Sequence, residues 1–286
     1  MKQHAIGALE ALNRRRYGRS NFLAALLGGS EQNRRREIGD LYEAGYLIKH
    51  ASNGAGAIER AYPHYFFPIY EKGPRADKLM RSNGIEPLSR SPSRQFWHQV
   101  MVDDILLSIE ASCRMLGFEY RDEHLILKGT PRELPCEISH IFKDGTEHCS
   151  TKKLMPDALF AVNGTYWALE ADRNNEPVER NNLGGTSYLR KLLQYRDVFK
   201  KRTFQARWGI DNICVLNVTT NKAHMKNIMT FMESYMEGKS RSLLFCACPA
   251  LVSPDKAPRP ILSLLTSPWN RVGHSDLILA DVIARQ

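Results

Sequence analysis

The chain has no run approaching the roughly 18 to 20 apolar residues a membrane helix needs, so no bilayer-spanning helix is expected. Its opening Met1-Lys2-Gln3-His4 lacks the apolar stretch of a secretory signal, and a cytoplasmic location is expected. Cysteine is sparse. The six residues Cys113, Cys136, Cys149, Cys214, Cys246 and Cys248 are neither dense nor evenly spaced, which argues against a disulfide framework. Cys136, His140, His148 and Cys149 fall close together, but their spacing matches no common zinc pattern, and reduced thiols placed mostly in the core are expected. There is no phosphate loop of the GxxxxGK(S/T) type and no GxGxxG after a strand, so no nucleotide cofactor is expected. No internal repeat is visible.

What is present is an ordinary globular balance, 43% hydrophobic and 25% charged, in 286 residues, enough for two domains. The formal net charge of +9 is unevenly spread. Residues 1–94 hold 16 Lys and Arg against 9 Asp and Glu, whereas the remaining 192 residues hold 24 against 22. A basic excess gathered in one third of a chain is the footprint of a phosphate-binding module.

That third reads as a winged helix-turn-helix. Ala5, Ile6, Leu9 and Leu12 have helical spacing, followed by Arg14-Arg15-Arg16 where cations favour the helix dipole. Ser20 caps a second helix with Phe22, Leu23, Leu26 and Leu27 inward, and Gly28-Gly29 stops it. Ser30 caps a third helix ending near Ala44, with Gly45 as the residue after its cap. Ile38 and Leu41 should pack inward and place Arg34 near the buried edge. Gln32, Arg35 and Arg36 then point outward, as side chains that read base edges or bind phosphates. Arg34 and Arg19 join them as candidate DNA contacts. Tyr46-Leu47-Ile48-Lys49, the Gly-rich 52–56 and the aromatic 62–67 read as strand, tip and strand of a wing. The expected organisation is a winged-helix domain over 1–81, a Pro/Ser/Arg-rich linker over 82–94 and a second domain over 95–286.

The second domain alternates helix and strand. A helix over 95–116 presents His98, Val102, Ile105, Ile109, Cys113 and Leu116 as one stripe, with Asp103 and Asp104 off it and exposed. His98 is either a satisfied core group or a side chain aimed into a site. Residues 125–128 read as a strand and 129–150 as a long connection. Strands follow at about 154–163 and 165–172, then a polar loop over 173–186 and a helix over 187–201. A strand over 213–218, a helix over 221–237 whose methionines fill the core, and a strand over 243–247 complete an α/β sandwich around a mixed sheet.

Two acids stand out. Asp157 opens the run Pro156-Asp157-Ala158-Leu159-Phe160, and Glu170 closes Tyr166-Trp167-Ala168-Leu169-Glu170. Asn163-Gly164 between them is a hairpin signal, so two adjacent strands should bring the carboxylates together. Oxygen ligands so placed suit a hard cation, Mg²⁺ or Mn²⁺, in phosphodiester chemistry. The plain alternative is two solvated strand ends. Gly184-Gly185-Thr186-Ser187 before a helix is a further candidate, for a DNA phosphate.

The combination resembles the replication-relaxation family of plasmid and mobile-element proteins, in which a winged helix precedes a domain similar to the PD-(D/E)xK nuclease fold. The residues that carry it are Arg35-Arg36 through Leu41-Tyr42-Glu43-Ala44-Gly45-Tyr46-Leu47, His98 through Asp104, Pro156 through Phe160, Glu170-Ala171-Asp172-Arg173 with Glu176, and Lys191-Leu192-Leu193-Gln194-Tyr195. The resemblance implies binding to double-stranded DNA in replication, relaxation or mobilisation. It also implies a candidate active centre of Asp157, Glu170, Asp172 and Lys191, supported by His98, Arg173, Glu176, Gln194 and Tyr195. The chain departs from the nuclease pattern where Asp172 stands in place of a lysine. Two rescues stay open: Lys191 reaches in from the next helix, or Asp172 is itself a metal ligand with Arg173 as the cation. A degenerate site is the third reading, leaving a non-enzymatic regulator that recruits a relaxase, a replication protein or a second copy. An RNA-directed or defence-associated nuclease is compatible with the same residues.

Overall fold

The computed structural model describes residues 3–50, 67–89, 95–174, 176–235, 240–251 and 258–285. The expected wing tip at 52–56, most of the aromatic run and the end of the linker lie outside them. The protein is mixed α/β, and its contacts divide it into two compact units, Met1–Phe118 with Ala250–Leu265 and Glu119–Pro249 with Thr266–Gln286.

The first unit opens with α1 (Gln3–Arg14), β1 (Gly18–Arg19), α2 (Ser20–Leu27) and α3 (Glu31–Glu43). Ala8, Leu9, Leu12, Phe22, Leu23, Ile38 and Leu41 are buried, as their spacing requires. Ser30 caps α3 by accepting from the Asn33 amide at 3.5 Å. The helix ends in a Schellman motif, Tyr46 N–H to Leu41 O and Gly45 N–H to Tyr42 O, both 2.9 Å, with Gly45 at φ +74°. Antiparallel strands β2 (Leu47–His50) and β3 (Ile69–Lys72) follow, paired from Leu47↔Lys72 to His50↔Ile69. β1 adds to the other edge of β3, and α4 (Ala76–Ser82) comes next.

The helix expected at 95–116 is α5 (Phe96–Leu116), and the contacts group it with the first unit. It is buried on every side from Val100 to Cys113. Asp103 and Asp104, expected to be exposed, are each only 1% exposed. The apolar stripe gave no hint of this, because the second face is covered through ion pairs rather than apolar contact. Asp103 Oδ2 accepts the Tyr17 amide, Asp104 takes Arg19, and Glu110 takes Arg14, Arg15 and Arg114.

The second unit is built on a seven-stranded mixed sheet. Its strands are β4 (Tyr120–Asp122), β7 (Ala158–Val162), β8 (Thr165–Asp172), β9 (Cys214–Thr219), β10 (Leu243–Ala247), β11 (Pro268–Arg271) and β12 (His274–Ile278), ordered β12-β11-β10-β9-β8-β7-β4. β8, β9 and β10 run parallel, and the other pairings are antiparallel. Residues 125–127 belong to a short helix, α6 (Glu123–Leu127), and Lys128 ends it, rather than forming a strand. The expected long connection is a β-ribbon, β5 (Leu134–Ile141) with β6 (Glu147–Leu154), because Leu134, Cys136 and Ile138 alternate inward. Helices α7 (Tyr188–Lys201), α8 (Thr203–Trp208), α9 (Lys222–Tyr235) and α10 (Leu279–Ile283) complete the unit. Leu189, Leu192, Val215, Met225, Ile228, Met232 and Phe245 share one core, so the methionines are packing residues.

Candidate functional site

On α3 the side chains divide by what holds them. Gln32, Arg35 and Arg36 are exposed. Arg35 lies 4.8 Å over the Phe67 ring and 4.0 Å from Glu31, loose contacts that leave its guanidinium at the surface. Arg34 is turned back onto the protein, donating to Gly28 O at 2.9 Å and pairing with Glu37 at 2.6 Å. Arg19, expected among the DNA contacts, is instead buried, with Nε 2.8 Å from Asp104 Oδ2. A guanidinium used inside the core is removed from any phosphate-facing set.

The β7–β8 hairpin turns at Asn163 (φ +45°) and Gly164 (φ +82°), the left-handed pair expected of Asn-Gly. Asp157 is stitched to β8 on both sides of Glu170. Its amide donates to Leu169 O at 2.9 Å and its Oδ2 accepts from the Ala171 amide at 2.8 Å. Glu170, 5% exposed, accepts from the Tyr195 hydroxyl at 2.6 Å and lies 3.0 Å from Lys191 Nζ. Lys191 also pairs with Glu176 at 2.8 Å. The structure therefore gathers Asp157, Glu170, Lys191, Tyr195 and Glu176. Tyr188, whose hydroxyl donates to Asn217 Oδ1 at 2.6 Å, sits alongside; Asn217 is the cross-strand partner of Glu170.

The electrostatics follow from this crowding. Burial pushes the Glu170 carboxyl above its ordinary value, opposed by Lys191 and reinforced by Asp157. For Lys191 burial favours the neutral amine, but Glu170, Asp157 and Glu176 together outweigh it and hold the ammonium well above its usual range. Tyr195 is raised well above normal by burial and by the Glu170 charge it faces. A lysine so held is a fixed positive charge and cannot accept a proton from water near neutrality.

The other expected residues are placed differently. Asp172 Oδ2 lies 2.7 Å from Nε2 of His224, a partner on α9 that no sequence signal marked. Arg173 follows β8 with its Nε buried and without a hydrogen-bond partner among the described residues. Gln194 is turned to the ribbon, donating to Lys153 O at 3.1 Å. His98 is carried by α5 in the first unit. The α7 N-terminus is already satisfied: Tyr188 and Leu189 amides donate to Pro177 and Val178 carbonyls, and Ser187 Oγ takes the Arg190 amide. An anion there would find these first-turn amides of α7 already engaged.

Asp157 and Glu170 supply oxygen donors of the kind a hard divalent ion takes. Among the described residues no group of three His, Cys, Asp or Glu is arranged to hold a metal. The fit is thus one of donor type, and an ion at Glu170 would compete with Lys191 for Oε2.

A mixed α/β protein with a surface arginine helix in one unit and a buried carboxylate–lysine cluster in the other is the class this geometry defines. The replication-relaxation family matches residues 9–213, more than half of the chain, and the chain belongs to that family. The match spans α3, both acids and Lys191 and ends before Asn217 and His224. No curated protein and no solved structure matches the chain. No helix among the described residues is long and apolar enough to cross a membrane.

Proposed function

We propose that this chain is a double-stranded-DNA-binding protein of a plasmid or other mobile element, acting in replication, relaxation or mobilisation through a winged-helix first unit. The observation that carries this reading is the sorting of arginines. Arg14, Arg15, Arg19 and Arg34 are committed to internal partners, whereas Gln32, Arg35 and Arg36 stay exposed on α3, a helix followed by the antiparallel pair β2–β3. Such a helix suits a major groove, and its arginines suit phosphates or guanine edges. Fluorescence anisotropy on duplex DNA tests it. The double variant Arg35→Ala/Arg36→Ala should weaken binding by about ten-fold or more and flatten the log K against log salt slope by about 2. Unchanged affinity and slope would remove the reading.

The second unit is read as a nuclease-like domain in which Lys191 takes the place that Asp172 vacates. Asp157 and Glu170 would hold Mg²⁺ or Mn²⁺, and such an ion stabilises the attacking and leaving oxygens of a phosphodiester. Lys191, permanently charged, would offset the developing negative charge. Tyr195 orients Glu170, and Glu176 steadies Lys191. Nicking of supercoiled plasmid that requires a divalent metal and is lost in Asp157→Ala supports this. Intact plasmid under every metal condition sinks it.

A specific observation favours a second reading, in which the pocket is structural. Both Glu170 oxygens already have partners, and Asp172 is paired with His224. The domain would then recruit a relaxase, a replication protein or another copy of the chain, and Asp157→Ala would leave function intact.

A further inference from the structure

Two cysteines flank the end of β10. Cys246 Sγ and Cys248 Sγ lie 3.7 Å apart, in hydrogen-bond contact. Of the six thiols, Cys113 and Cys136 are buried, Cys149 is exposed and Cys214 is half-buried, and none of these contacts another sulfur among the described residues.

The local backbone explains the contact. Two residues apart on a regular strand, side chains share a face but stand parallel and well separated. Here the strand stops at Ala247, and Cys248 lies beyond it, before the 3-10 turn Pro249–Leu251. The Cys248 amide is held by Thr219 O at 2.7 Å, which fixes the residue one position past the last pair, Ala247↔Thr219, with its sulfur beside that of Cys246. The two thiols are not equivalent. Cys246 is half-buried, while Cys248 is only 5% exposed. The hydrogen bond from Cys248 lowers the Cys246 thiol from its ordinary value, and the same bond, with burial, raises Cys248. A half-buried thiol eased toward ionisation, beside a more buried thiol within contact distance, is the arrangement of an attacking and a resolving cysteine.

We propose that Cys246 and Cys248 form a peroxide-responsive pair that closes to an intramolecular disulfide. The Cys246 thiolate attacks one oxygen of hydrogen peroxide, the O–O bond breaks, and the departing hydroxide takes a proton to leave as water. This leaves a sulfenic acid on Cys246. Cys248 then attacks the sulfenic sulfur, its thiol proton joins the departing hydroxyl, and a second water is released. Two thiols lose two electrons, and one peroxide gains them. The sulfurs must approach from 3.7 Å to about 2.0 Å to bond. The amide acceptor of Cys248, Thr219, is the cross-strand partner of Asp172, which places the pair at the same end of the parallel strands as Asp172. The pairing stands independently of whether the chain cleaves DNA.

The test uses the full chain carrying Cys149→Ser, which removes the exposed thiol and with it intermolecular bonding. It is treated with hydrogen peroxide, denatured, alkylated and digested with trypsin. The peptide beginning at Ser242 should escape alkylation and be about 2 Da lighter than its dithiol form, reversibly with dithiothreitol. It should form at least about ten-fold faster than any change at the buried Cys113 or Cys136. Adding Cys248→Ser should abolish the loss of two hydrogens and leave Cys246 to gain oxygen instead. A Ser242 peptide that keeps both thiols, or that gains oxygen while Cys248 is present, overturns the proposal.

Discussion

Replacing Arg19 by methionine isolates a deeply buried ion pair of the first unit. Arg19 Nε and Asp104 Oδ2 are 2.8 Å apart, with side chains 7% and 1% exposed. Removing one partner of such a pair leaves a buried charge uncompensated, which costs about 3–5 kcal/mol. The cost should depend on pH. Burial raises Asp104 from 3.8 to about 6 even with Arg19 holding it down. Between those values the folded chain binds more protons than the unfolded chain, so this group's contribution to stability falls as pH rises through that window. Across about two units that is about 3 kcal/mol. Without the guanidinium the upper edge of the window moves above 6, and at pH 5 the carboxyl is neutral. Arg19→Met should therefore be about 3–5 kcal/mol less stable than the parent at pH 7.5 and recover to within about 2 kcal/mol at pH 5. The charge-free double variant Arg19→Met/Asp104→Leu should lie within about 1–2 kcal/mol of the parent at both. Urea unfolding followed by tryptophan fluorescence is a suitable assay, since the Trp97 ring lies 6.0 Å from the guanidinium. A penalty equal at both pH values, or a double variant as unstable as the sum of the singles, would refute the reasoning.

In the second unit, Lys191→Met should destabilise by about 2–3 kcal/mol at neutral pH, because it strands Glu170 and Glu176. Since Glu170 is already raised, acidification should restore part of that loss, and no acid recovery in chemical denaturation would count against the pairing. Tyr195→Phe removes the donor on Glu170 Oε1 and should cost about 1–2 kcal/mol by the same measurement; a neutral outcome would show the 2.6 Å bond to be inconsequential. Gly164→Ala places a side chain at φ +82° and should cost about 1 kcal/mol, most of it in faster unfolding of the β7–β8 hairpin, readable by amide exchange at Val162 and Thr165.

Features governed by local chemistry are legible in the amino-acid sequence. Asn163-Gly164 announces its hairpin, Ser187 its helix, Gly45 its helix stop, and the methionines of α9 their burial. Periodicity also finds α5, yet it cannot reveal that Asp103, Asp104 and Glu110 on that helix are buried. Their partners, Arg14, Arg15, Arg19 and the Tyr17 amide, are some 85 to 96 residues away in the chain, and ion pairing over such separations leaves no periodic trace. The same holds for His224 on Asp172, 52 residues apart. The β5–β6 ribbon is hidden differently. Its Leu134, Cys136 and Ile138 do alternate, but Pro135, Glu137 and the charges of β6 on the open face resemble a loop. At the candidate pocket, sequence supplies the two acids, while the reach of Lys191 to both Glu170 and Glu176 depends on how α7 packs beside β8.

The first unit is not made of one stretch of chain, and this affects how it is born. Pro258 O receives the Asn21 amide group, Leu262 O the Ser112 hydroxyl, and Ser108 the Ile261 N–H, all within that unit. On the ribosome, therefore, Asn21 of α2 waits for a residue synthesised 237 positions later, and Ser108 and Ser112 of α5 for residues 153 and 150 positions later, before those hydrogen bonds can close. A fragment cut at residue 94 should emerge with those carbonyls and α5 missing. If the first unit binds DNA as proposed, capture by the nascent chain would wait until residues 258–262 have emerged.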